Sequence, residues 1–143
     1  MTKILPAKKP LVIVEDDPDD QFFLMSTFQR LGFDQYVLCM YTGEQLFKHL
    51  EEAIRMDNCP SIILLDYNIP VMNGEEILTV LKKNPQYNPI NVMIYTTAIS
   101  PSLNKRLLEL GASDCYTKPV SSTGIMEFAQ FLKQKIEEET IAK

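Results

Sequence analysis

The chain has 143 residues, 45% hydrophobic and 23% charged, with a formal net charge of −5. That length suits one domain able to bury a core without a metal or disulfide staple, and the composition excludes disorder. The acidic balance disfavours direct nucleic-acid binding, which needs a basic stripe.

Leu11–Val14 is apolar, reads as a first strand, and runs into Glu15-Asp16-Asp17. Pro18–Leu31 carries Leu24, Phe28 and Leu31 at helical spacing, and Gly32 suits the left-handed residue that ends a helix. Tyr36–Tyr41 is the second predicted strand. Glu44–Ile54 is the second helix, with Leu46, Phe47, Leu50 and Ile54 on one side. Ser61–Leu65 is the third strand and delivers Asp66. Gly74–Lys83 is the third helix, stopped by Asn84-Pro85. Val92–Thr96 is the fourth strand, and Leu103–Leu110 is the fourth helix, ended by Gly111. Cys115–Thr117 is a short fifth strand, and Thr123–Glu139 is the last helix.

Strand and helix thus alternate five times. Such alternation implies an α/β fold, a parallel sheet with helices on both faces. The strands are continuously apolar because both of their faces are buried. The division expected is an N-terminal extension over 1–9 and one domain over 10–140, with no further domain. The odd count of Cys39, Cys59 and Cys115, without a CxxC pair, disfavours a disulfide framework or structural zinc. No apolar run reaches the ~18 residues of a membrane span. Leu11–Val14, after the basic Met1–Pro10, is too short for a signal-peptide core. A cytoplasmic protein with no membrane partner is expected.

In an open parallel sheet, ligands bind beyond the carboxyl ends of the strands. There the first strand delivers Glu15, Asp16 and Asp17, and the third delivers Asp66. The fourth delivers Thr96 and Thr97, and the fifth delivers Lys118 and Pro119. Crowded carboxylates repel one another, and a cation relieves that conflict. The donors are hard oxygens with no His or Cys among them, which selects Mg²⁺ or Mn²⁺. A divalent ion, an ammonium and a hydroxyl suit an incoming phosphoryl group. Asp66, alone at the end of a central strand, is the candidate nucleophile for an aspartyl phosphate.

The chain resembles the receiver domain of two-component response regulators over about residues 10–140. The matching pieces are Val12–Asp17, Leu64–Gly74, Tyr95–Thr97 and Gly111–Pro119, in order and each at a strand end. The resemblance implies a flavodoxin-like doubly wound (βα)5 fold, with a five-stranded sheet of order 2-1-3-4-5. It implies that Asp66 accepts a phosphoryl group from a sensor histidine kinase or phosphotransfer protein. Asp16 binds Mg²⁺, Glu15 assists through water, and Asp66 and the Asn68 carbonyl complete the ligands. Thr96 is the switch hydroxyl, with Thr97-Ala98 as the alternative alignment, and Lys118 pairs with the phosphoryl group. Pro119 follows, in the family usually through a cis peptide.

Many receivers carry an aromatic three residues before the lysine. Here that position is Cys115, and Tyr116 points to the opposite sheet face, so an aromatic switch is not transferred. Asp17-Pro18-Asp19-Asp20 reads as N-cap, N1 proline and two acids on the helix dipole. Asn73 with Glu76 reads as a capping-box analogue. His49 is read as a helix-surface residue.

The implied function is a phosphorylation-controlled binding module, not an enzyme beyond its own phosphorylation and dephosphorylation. Its signal goes to a downstream effector protein through the fourth helix, fifth strand and fifth helix, the face that family homodimers use. The alternatives are a phosphorylation-independent interaction module and a Mg²⁺-dependent aspartyl-phosphate phosphatase. The latter needs an acid two residues past the nucleophile, and Asn68 stands there.

Overall fold

The computed structural model describes residues 9–142, with side chains to residue 139, so most of the expected 1–9 extension lies outside the described residues. Ten elements follow in chain order: β1 (Leu11–Val14), α1 (Pro18–Arg30), β2 (Val37–Met40), α2 (Gly43–Arg55), β3 (Ile62–Asp66), α3 (Gly74–Lys83), β4 (Asn91–Thr96), α4 (Pro101–Glu109), β5 (Asp114–Thr117) and α5 (Ser122–Ala142). The strands form one parallel sheet of order β2-β1-β3-β4-β5. The parallel sheet is the one the alternation implied, and its strand order is the one the resemblance implied.

Side chains alternate across the pleat, and the sheet therefore has two cores. Val12, Val14, Ile63, Leu65, Val92 and Ile94 face α2, α3 and α4, meeting Leu46, Leu50, Ile77, Leu81 and Leu107. Leu11, Ile13, Ile62, Leu64, Met93 and Tyr95 face α1 and α5, meeting Leu24, Phe28, Ala129, Leu132 and Ile136. Each fully buried aliphatic side chain contributes about 1.5–3 kcal/mol relative to exposure, so both layers anchor the central strands. Cys115 belongs to the first core and Tyr116 to the second, where its ring lies 5.6 Å from Phe128 and 5.5 Å from Phe131. The opposite-face expectation therefore holds.

Local chemistry sets the helix starts. Asp17 caps α1, accepting the N–H groups of Asp19 at 2.8 Å and Asp20 at 3.3 Å. Asn73 and Glu76 form a full capping box on α3. Most boundaries shift by a residue or more against the periodicity reading, and two of the shifts have a clear local form. Asp34–Tyr36 turns as a 3-10 segment, so β2 begins at Val37. Helix α4 begins at Pro101, two residues early, because the Ser100 hydroxyl accepts the Leu103 N–H at 3.1 Å with proline in the first turn.

Candidate functional site

The carboxyl ends of β1, β3, β4 and β5 converge. Asp66 ends β3 and is buried. Its Oδ1 accepts the Asn68 N–H at 3.0 Å, and its Oδ2 pairs with Lys118 Nζ at 3.0 Å. Parallel pairing sets Asp66 opposite Tyr95 on β4. Glu15 follows β1 directly and has no exposed surface. Its Oε1 accepts the Tyr95 hydroxyl at 2.8 Å and meets Lys118 Nζ at 2.8 Å, while its Oε2 accepts the Asp17 N–H at 3.1 Å. The buried Gln21 amide donates to the carbonyls of Glu15 (3.0 Å) and Met40 (2.8 Å), tying this loop to the end of β2.

Lys118 follows β5, with its backbone N–H on the Thr96 carbonyl at 2.7 Å. Its ammonium contacts Glu15, Asp66 and Asp20, the last at 3.3 Å, and lies 5.0 Å from the Tyr95 ring centre. Burial pulls the lysine's pKa down, but Glu15 and Asp66 outweigh it and hold the group above its ordinary value. Burial, then Asp66, pushes the Glu15 carboxyl up, against Lys118 and Tyr95. Asp16 is half-buried and is also raised, by burial first and by Glu15. Burial and the Glu15 charge together raise the Tyr95 phenol above its ordinary value.

Carboxylate oxygens of Glu15, Asp16 and Asp66 lie within 4.8 Å of one another. All are hard oxygen donors, and counting Asp20 the site gathers four carboxylates against a single ammonium that contacts three of them. That excess negative charge fits a hard divalent cation.

Thr96 is buried, and its Oγ1 accepts the Asn68 side-chain amide at 3.2 Å. Thr97 and Ala98 are exposed, so Thr96 is the hydroxyl inside the site. Pro119 adjoins it, but the Lys118–Pro119 peptide is trans, unlike the family habit, as are all peptides among the described residues. Asp17 serves the helix cap, as its position ahead of Pro18 indicated.

Sequence reasoning missed Tyr95, Gln21 and the second role of Asp20. A buried aromatic between Ile94 and Thr96 looks like core, and nothing local reveals a hydroxyl aimed at Glu15. Gln21 was detectable as a polar residue on the helix face that carries Leu24 and Phe28.

A family model described as "Response regulator receiver domain" matches residues 11–130. The chain is 26% identical over 136 residues to the probable methanogenesis regulatory protein FilR2 of Methanothrix harundinacea, covering 92% of this chain and 86% of that one. It is 28% identical over 92 residues to response regulator Rcp1 of Synechocystis sp., covering 63% of each. The crystal structure of phosphorylated cyanobacterial phytochrome response regulator RcpA matches with a TM-score of 0.77 at 22% identity, covering 90% of this chain and 93% of that one. The Mn²⁺-bound form of Rcp1 matches with a TM-score of 0.73 at 23% identity, covering 86% and 90%.

Proposed function

The chain belongs to the response regulator receiver domain family, and from that premise we propose that Asp66 accepts a phosphoryl group from a histidine kinase or phosphotransfer protein. The observation that carries this is the placement of Asp66, with Lys118 Nζ at 3.0 Å and the carboxylates of Glu15 and Asp16 within 4.8 Å.

The Asn68 N–H on Oδ1 orients the carboxylate. An Asp66 oxygen attacks phosphorus, and a phosphorus–oxygen bond forms as the bond to the donor imidazole nitrogen breaks. The imidazole leaves with the electron pair, and water later returns phosphate and the free carboxylate. Lys118 pairs with the phosphoryl oxygens. Thr96 Oγ1 accepts from Asn68, so its own proton is free to donate to the phosphoryl group. When bound, Mg²⁺ or Mn²⁺ neutralises developing charge; Glu15, Asp16 and Asp66 would hold it, with the Asn68 carbonyl that the resemblance adds. A metal-bound form of Rcp1 and a phosphorylated form of RcpA support this reading.

The signal would pass as Thr96 moves and the face of α4, β5 and α5 changes its affinity for an effector protein. Cys115, on the α4 side, stands where many receivers carry an aromatic, so the family's aromatic switch is not carried over to this chain. Among the described residues no helix is long and apolar enough to cross a membrane.

The test is incubation with acetyl phosphate, with and without Mg²⁺, read by intact mass. One labile phosphoryl adduct that requires Mg²⁺ and is absent from Asp66→Asn is expected. A folded wild-type protein that never gains the adduct overturns the mechanism and favours an interaction module independent of phosphorylation.

A further inference from the structure

An ammonium has three N–H donors. In this structure Lys118 faces three carboxylates, Glu15 at 2.8 Å, Asp66 at 3.0 Å and Asp20 at 3.3 Å. Its charge is therefore already shared among three carboxylates, two of them hydrogen-bonded, before any phosphoryl group arrives. If Lys118 is to meet a phosphoryl oxygen, one of these contacts must yield.

The three differ in what release costs. Glu15 is wholly buried and is pinned by the Asp17 N–H and the Tyr95 hydroxyl, so its carboxylate has no room to turn away to solvent. Asp66 is buried and is itself the acceptor. The Asp20 side chain is 44% exposed and makes the longest contact, so water can take over its solvation at small cost. Asp20 is also the third residue of α1, where its backbone is fixed by the Asp17 cap. It lines a pocket of about 320 Å³ that Lys118, Phe23 and Phe128 also line. The side chain is thus held by its helix, yet opens to solvent.

We propose that Asp20 is a positioning residue that occupies Lys118 in the resting state and yields it to the phosphoryl group, so that its carboxylate competes with phosphoryl binding. This rests on the reading of Lys118 as the phosphoryl partner. Asp20 then sets how readily the site takes up a phosphoryl group, without touching the metal cluster of Glu15, Asp16 and Asp66.

The experiment measures the affinity of the full chain for beryllium fluoride, a tetrahedral phosphoryl mimic, at saturating Mg²⁺. It uses calorimetry or ¹⁹F NMR. Asp20→Asn removes the charge at constant shape and is expected to bind the mimic about fivefold more tightly, the scale of one exposed ion pair. Asp20→Glu restores a carboxylate and is expected to return affinity to within about twofold of wild type. Asp19→Asn is the control. It removes an equal charge from the same helical turn but makes no contact with Lys118, and is expected to leave affinity unchanged. Equal or weaker binding by Asp20→Asn, or the same tightening in Asp19→Asn, overturns the proposal. A wild-type chain that does not bind the mimic at all overturns the underlying reading of the site instead.

Discussion

Val71 stands in the loop between Asp66 and α3, with φ at +72° and its side chain wholly exposed. The Met72 N–H donates to the Pro70 carbonyl at 2.9 Å, closing a three-residue γ-turn around it. A β-branched residue is poorly suited to that conformation, and such strain costs about 1–3 kcal/mol. Val71→Gly removes the side-chain clash, and no buried contact is lost with it. The freer unfolded chain offsets about 0.5–1 kcal/mol of the gain. The net expectation is a stabilisation of about 1 kcal/mol, or a rise in Tm of about 3 °C for a domain of this size. Val71→Ala keeps a Cβ and should recover less than half of it. Urea and thermal unfolding followed by circular dichroism measure both, with an unchanged m-value showing that the unfolded state is comparable. A glycine variant that melts at or below the wild-type temperature refutes the strain argument.

Gly74 opens α3 directly behind Asp66, where an added Cβ would lie 2.8 Å from both the Asp66 carbonyl oxygen and the Tyr67 Cα. Backbone cannot give way as a flexible side chain can, so Gly74→Ala is expected to cost about 2 kcal/mol and to slow phosphorylation. An unchanged melting temperature would show that the helix start is looser than this packing. Burial pushes the Cys39 thiol up to about 11 from 9.0. At pH 8 its thiolate fraction should therefore be about 100-fold below that of the unfolded chain. Iodoacetamide labelling resolved by peptide mass should show at least that ratio between native and urea-unfolded protein, with the native rate still rising above pH 10. Equal rates in the two states would contradict the burial.

The strands were legible because both faces of the sheet are covered, which turns Leu11–Val14 and Ile62–Leu65 into unbroken apolar runs. The starts of α1 and α3 were legible because caps are local chemistry, spelled out by Asp17-Pro18 and by Asn73 with Glu76. The site was legible because topology brings strand ends together whatever the loops do. Asp66, Glu15, Asp16, Thr96 and Lys118 gather as their strand positions required. Contacts between side chains distant in sequence were not legible. Asp20 and Lys118 are 98 residues apart, and Tyr95 and Glu15 are 80 apart. Nothing near Asp20 separates an acid on the helix dipole from one that also reaches a lysine. Val71 was likewise opaque, since valine gives no warning of a left-handed turn.

Asp66 is the proposed site of phosphorylation. Borohydride reduces an aspartyl phosphate to homoserine, leaving a stable mark where the labile group stood. The measurement is reduction of the chain after incubation with acetyl phosphate and Mg²⁺, followed by peptide sequencing by mass spectrometry. Conversion at position 66, with Glu15, Asp16 and Asp20 intact, is the predicted result. Conversion at any other carboxylate, or none in a chain that carries the adduct, would contradict the account.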